Sequence, residues 1–191
     1  MKLVTIQASA IKSTFEVLKD ILNDVNIYFK PDGMTITSLD TARVALVDVF
    51  LSADNFDEYV CENPITAGIN ITNTFKLLKT ITNNDVLSLS VSSKEFMDIE
   101  ITSEAKKTTT KFQLKLLDIN ENRIEVPSQN MTTVTTMQSA EFQRMCRDMS
   151  NIGTIIEIIR DKSFLTLKCM GDFANQDTTI ECIDESPYIS G

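Results

Sequence analysis

The chain of 191 residues contains no histidine, only 5 glycines and 4 prolines, and fewer basic than acidic residues, 18 against 27. Without histidine, a Cys2His2 zinc finger and a Ser/His or Cys/His catalytic pair are both excluded. The four cysteines, Cys61, Cys146, Cys169 and Cys182, show no CxxC spacing and are expected to be buried reduced thiols. Scarce glycine and proline exclude a low-complexity chain. No apolar run approaches the roughly 20 residues of a membrane span, so no membrane partner is expected. The opening MKLVTIQ lacks the apolar core of a signal peptide, which leads to the expectation of an intracellular protein. The net charge of −9 and a pI near 4.6 exclude whole-surface attraction to nucleic acid. Any polyanion must therefore meet a local concentration of cations.

Such concentrations are present, in three stretches of one design. Residues 139–153, SAEFQRMCRDMSNIG, place Phe142, Met145, Cys146, Met149 and Ile152 on one side of a helix and Arg144 and Arg147 on another. Residues 9–23 form an apolar stripe from Ile11, Phe15, Leu18 and Leu22, with Lys12 and Lys19 two turns apart on a neighbouring face. Residues 71–81 turn Phe75, Leu78 and Ile81 inward while Lys76 and Lys79 stand together. Each helix can lie on a sheet and present positive charge outward.

The rest of the chain reads as strands arranged around these helices. Strands are expected at 2–7, 25–30, 34–39 and 43–52, with Pro31-Asp32-Gly33 as a hairpin turn. A second unit opens with extended segments at 59–61 and 65–69, then a helix, the turn Asn83-Asn84-Asp85 and strands at 86–92, 96–102 and 109–117. A third unit repeats the order, with 132–137 extended, the helix, and strands at 154–159, 164–170 and 178–183. The result is an α+β fold of repeated β-α-β-β-β units, with antiparallel sheets and the helices gathered on one face. Two domains are expected, at 1–117 and 131–191, joined by an exposed connector at 118–130, DINENRIEVPSQN. The connector's Asp118, Glu121 and Glu125 lack the glycine and ordered ligand set of a calcium loop, so neither metal nor other cofactor is expected. Nor is an enzyme, since no nucleophile has a base and no glycine loop could cradle phosphate.

Several motifs together resemble the sliding clamps of the PCNA family of eukaryotes, archaea and their large DNA viruses. They are LKDIL at 18–22, Ser38-Leu39-Asp40 leading into Val44-Ala45-Leu46-Val47, Asn55-Phe56-Asp57 with Tyr59 and Cys61, and Lys76-Leu77-Leu78-Lys79. To these are added LKLLD at 114–118, Val126-Pro127, and Glu141-Phe142 through Cys146-Arg147-Asp148 to Ile152-Gly153. The resemblance implies a non-catalytic homotrimeric ring around duplex DNA, opened by a clamp loader, that tethers DNA polymerase and other replication and repair proteins. It implies a nuclear location, or a viral replication compartment. It assigns DNA phosphate contacts to Lys12, Lys19, Lys76, Lys79, Arg144 and Arg147. It also implies a groove for partner peptides formed by Leu39, Arg43, Val44, Leu46, Ile124, Val126 and Pro127. Lys162 matches a lysine that relatives modify with ubiquitin.

The sequence departs from the family pattern at Ser13, Arg43 and Met131, and it holds three units where the family has four. The expectation is therefore a clamp whose second domain shows an uncovered helix face. The alternative is a shortened homologue that captures partner peptides without encircling DNA.

Overall fold

The structure is a computed structural model that describes residues 1–120, 124, 133–161 and 163–181. It divides into two compact units, Met1–Pro127 and Ser128–Gly191. In the first, the order is β1 (Lys2–Thr5), α1 (Ala8–Leu18), β2 (Asp24–Lys30), β3 (Gly33–Leu39), β4 (Leu46–Ser52), a 3₁₀ turn (Ala53–Asn55) and β5 (Glu58–Val60). There follow β6 (Ile65–Asn70), α2 (Ile71–Leu78), β7 (Asp85–Ser90), β8 (Phe96–Ser103) and β9 (Thr108–Lys115).

Two antiparallel sheets result, ordered β4-β3-β2-β6 and β5-β1-β7-β8-β9. The strand before each helix crosses into the sheet of the other repeat. β1 pairs with β7, Leu3 opposite Leu89, and β6 pairs with β2, Ala67 opposite Ile27. The exchange locks the two repeats into one core. That core holds Leu3, Phe15, Ile27, Phe29, Ile36 and Ile69, all at most 2% exposed. In β8, Met97, Ile99, Ile101 and Ser103 are buried and the residues between them are not, the two-residue alternation of a half-buried strand.

The hairpin Pro31-Asp32-Gly33 forms as the sequence suggests. Gly33 has φ +149°, and a Cβ there would lie 2.2 Å from the Leu51 carbonyl oxygen, so both conformation and space require glycine. The helix expected over 9–23 stops at Leu18. Asp20 and Ile21 donate to the carbonyls of Val17 and Leu18, three residues back, and this tighter turn still brings Leu22 into the core, 1% exposed. α1 and α2 pack against each other.

The strand expected from Arg43 is also shorter, because β4 begins only at Leu46. Asp40 explains the difference. Its carboxylate accepts from the amides of Val44 and Ala45 at 2.7 and 3.0 Å, and Arg43 takes a φ of +57°. An acidic side chain has here outcompeted the strand ladder for backbone donors. Past β9, Leu117 donates to the carbonyl of Gly68 at 2.8 Å and the Asn26 amide to that of Ile119 at 3.1 Å. A Cβ on Gly68 would stand 2.2 Å from the Leu117 carbonyl oxygen, so the two sheets meet at a seam that only glycine allows.

The second unit contains α3 (Ser139–Ser150), β10 (Ile156–Arg160), β11 (Phe164–Met170) and β12 (Asn175–Glu181), with the strands in the order β10-β11-β12. Its core is Met145, Met149, Leu165, Leu167 and Cys169. Phe142, expected on the buried stripe, is 39% exposed, and Cys146, expected to be buried, is half-buried. A single small sheet covers the later turns of α3 and leaves the first turns open. The strand expected at 132–137 is absent among the described residues, where 133–138 joins no sheet. β12 starts at Asn175, three residues before its expected start. Cys61 and Cys169 are buried free thiols, and burial pushes the Cys61 thiol upward. Cys182 lies outside the described residues.

Candidate nucleic-acid interface and peptide groove

The four lysines assigned to α1 and α2 do two different things. Lys12 is half-buried, and its Nζ donates to the carbonyl of Ile81 at 2.8 Å, just beyond the end of α2. A cation there satisfies an orphan carbonyl and complements the negative end of the helix dipole. Lys19 lies 2.6 Å from Asp20 Oδ1, with its Nζ 5.6 Å from the centroid of the Phe75 ring, a cation–π distance. Both lysines therefore tie α1 to its neighbourhood and keep part of their charge at the surface. Lys76 and Lys79 are exposed. Lys76 meets only Asn73 Oδ1 on its own helix at 3.1 Å, and Lys79 has no ion pair or hydrogen bond among the described residues. Of the four lysines, these two are the more open to a polyanion.

On α3, Arg144 and Arg147 are both exposed, and neither takes part in an ion pair among the described residues. Glu141 in the first turn and Arg147 in the last match the sense of the helix dipole, which supports the helix despite an N-cap residue, Gln138, that makes no side-chain cap. α3 thus carries two exposed cations, and so do α2 and its C-cap residue, whereas the pair on α1 and its C-cap is half-buried and partly committed to the protein itself.

The residues expected to form a peptide groove come together only in part. Leu39, at the end of β3, Arg43, in the Asp40-held loop, and Ile124 line one groove of about 620 Å³ together with Asp24, Asp40 and Asn120. Val44, 86% exposed, and Leu46, 39% exposed, stand outside that lining, and Val126 and Pro127 lie outside the described residues. The groove is thus more polar than the aliphatic set read from the sequence. Asp40 is the residue that reading missed. The amides of Ala45 and Val44 hold its carboxyl below the usual carboxylate range, so it stays charged while it fixes the loop that carries Arg43. An aspartate at the mouth of a turn was the available signal.

A larger cavity of about 1020 Å³ opens along the seam near Asn26, Gly68, Lys94, Phe96 and Lys115. None of the described site residues read from the sequence lines it. Lys162 lies outside the described residues. Among the described residues no helix is long and apolar enough to cross a membrane.

Two family profiles match in tandem. The N-terminal domain of proliferating cell nuclear antigen matches residues 1–124 and its C-terminal domain residues 125–187. A relative described as a probable DNA polymerase sliding clamp, from Paramecium bursaria Chlorella virus 1, is 37% identical over 182 residues, covering 92% of this chain and 70% of its own length. The proliferating cell nuclear antigens of Dictyostelium discoideum and Chaetomium thermophilum are each 29% identical, covering 95% and 91% of this chain and 71% and 68% of their own.

Proposed function

The chain belongs to the proliferating cell nuclear antigen family, and from that premise we propose that it is a DNA sliding clamp, a non-catalytic processivity factor that tethers DNA polymerase to duplex DNA. The observation that carries this reading is the tandem match of both clamp domains, in order, across nearly the whole chain. In this reading Lys76, Lys79, Arg144 and Arg147 meet backbone phosphates, with Lys12 and Lys19 adding field from their half-buried places. Contacts of this kind read charge and carry no base information, so the protein slides. The groove at Leu39, Arg43 and Ile124, completed by Val44, Leu46, Val126 and Pro127, takes the apolar plug of a partner's clamp-binding peptide. A clamp loader, closure of a homotrimeric ring, a nuclear or viral replication site and modification of Lys162 belong to the same reading.

The test is topological. The protein is loaded on a nicked circular duplex, which is then cut at one site. A ring is held on the circle and runs off the linear form, whereas equal retention on both would overturn encirclement and leave peptide capture as the function. Replacing Lys76 and Lys79 with alanine should weaken DNA binding for every sequence alike, and should lower the slope of log affinity against log salt by about 2.

A further inference from the structure

Beyond the cations assigned to the helices, the first unit gathers positive charge at one more place, the C-terminal end of α2. Lys79 is the C-cap residue of that helix, and the Ile81 carbonyl accepts from the Lys12 ammonium at 2.8 Å. The next residue, Thr82, donates from its amide and its hydroxyl to Asp85 at 2.8 and 2.9 Å. Asp85 opens β7 and stands opposite Ser103, the last residue of β8. The turn between β8 and β9 is therefore carried to the end of α2, and it consists of Glu104, Ala105, Lys106 and Lys107. The Thr82 amide above all, and then the Ser103 hydroxyl, hold the Asp85 carboxyl below the usual carboxylate range. The Lys106 charge adds to them, which puts this lysine within electrostatic reach of the end of α2.

Residues 76–85 and 104–107 carry four lysines and two acids, in a chain of net charge −9. Of the two acids, Asp85 is 3% exposed and committed to Thr82, so only Glu104 faces solvent. Lys107 supplies a second sign. Its φ of +51° lies in the left-handed region, where glycine and asparagine are at ease and lysine is not. Lys106 and Lys107 are both exposed, and neither makes an ion pair among the described residues. A lysine held in a costly conformation with no acid of its own to meet is suited to a charge brought from outside.

We propose that Lys106 and Lys107 form a further phosphate-binding element, which meets the backbone of duplex DNA together with Lys79 and extends the cation track past the end of α2. The proposal rests on the clamp reading. Backbone phosphate is the occupant because flexible ammonium groups on a turn supply point charges, with no planar fork to read a base edge.

The test pairs Lys106→Gln with Lys107→Asn, since asparagine tolerates the left-handed φ. Affinity for a short linear duplex, whose binding needs no ring, is measured by fluorescence anisotropy over a range of salt. The two substitutions should lower the slope of log affinity against log salt by about 2, alike for every duplex sequence, with the melting temperature little changed. An unchanged slope, while Lys76→Ala with Lys79→Ala lowers it, would overturn the inference and leave the clamp reading standing. Loss of topological retention would instead strike the clamp reading alone, because the slope is read on linear DNA. Where the double variant also melts lower, Glu104→Gln decides. Removing the exposed acid of the turn should tighten binding to the duplex, and an unchanged affinity would overturn the proposal.

Discussion

The two units are made from the same repeat and differ in how completely it is closed. The first has two helices and nine strands, with helix faces and sheet faces turned toward a shared core. The second, as described, has one helix and three strands, and its core contains five buried residues. In the first unit, Phe15 of α1 is 2% exposed, whereas Phe142 of α3 is 39% exposed. An amphipathic sequence therefore specifies which side of a helix turns inward, but only a second layer determines how deeply it is buried.

The contrast predicts unequal costs for equal lesions. Phe15→Ala leaves a void walled on all sides and should destabilise the first unit by about 3–5 kcal/mol. Met149→Ala in α3, although Met149 is 0% exposed, should cost nearer the lower end of the usual range, about 2 kcal/mol, because a thinly covered core can collapse into the space. Urea unfolding followed by circular dichroism measures both. Equal losses would mean that the second unit is as tightly packed as the first.

A smaller effect should separate seam from core. Gly68→Ala puts a methyl against the Leu117 carbonyl, an immovable backbone atom, and should cost about 1–3 kcal/mol by forcing the strands apart. The first amide to lose protection should be that of Leu117, which donates across the seam. Protection lost first in β2 or β3 would show that the strain spreads into the sheet.

Much of this architecture was legible in the residue pattern. Alternation at Met97, Ile99 and Ile101 marks β8, Pro31-Asp32-Gly33 marks the β2–β3 hairpin, and Ile11, Phe15 and Leu18 mark the inner face of α1. What periodicity could not supply were side chains that act on distant backbone. Lys12 reads as one half of a surface cation pair until the Ile81 carbonyl arrives from 69 positions away. The alternation of Arg43-Val44-Ala45 reads as strand until Asp40 withdraws two of the amides. Of the groove set implied by the resemblance, Leu39, Arg43 and Ile124 line one cavity while Val44 and Leu46 do not, and the polarity of that cavity was not legible. Asp24 and Asn120 enter it through the fold and carry no sequence signal of their own.

Asp40 gives the subtlest test, because its role is local and pH-dependent. Its carboxyl titrates below the ordinary value of 3.8 when the loop is formed, chiefly because the Ala45 and Val44 amides favour the charged form. A carboxylate whose folded pKa is depressed contributes fully above its unfolded value, and that contribution is lost as pH falls through the folded one. The amides of Val44 and Ala45 should thus stay protected above pH 3.8 and lose protection only as pH falls through the lower folded value, while those of β3 remain unchanged. Asp40→Asn keeps the shape and removes the charge, so it should open the same two amides at neutral pH. It should also loosen Arg43 at the groove, weakening a partner peptide with little change in melting temperature. If the two amides stay protected in Asp40→Asn, the loop is held by packing, and Arg43 would keep its position without the carboxylate.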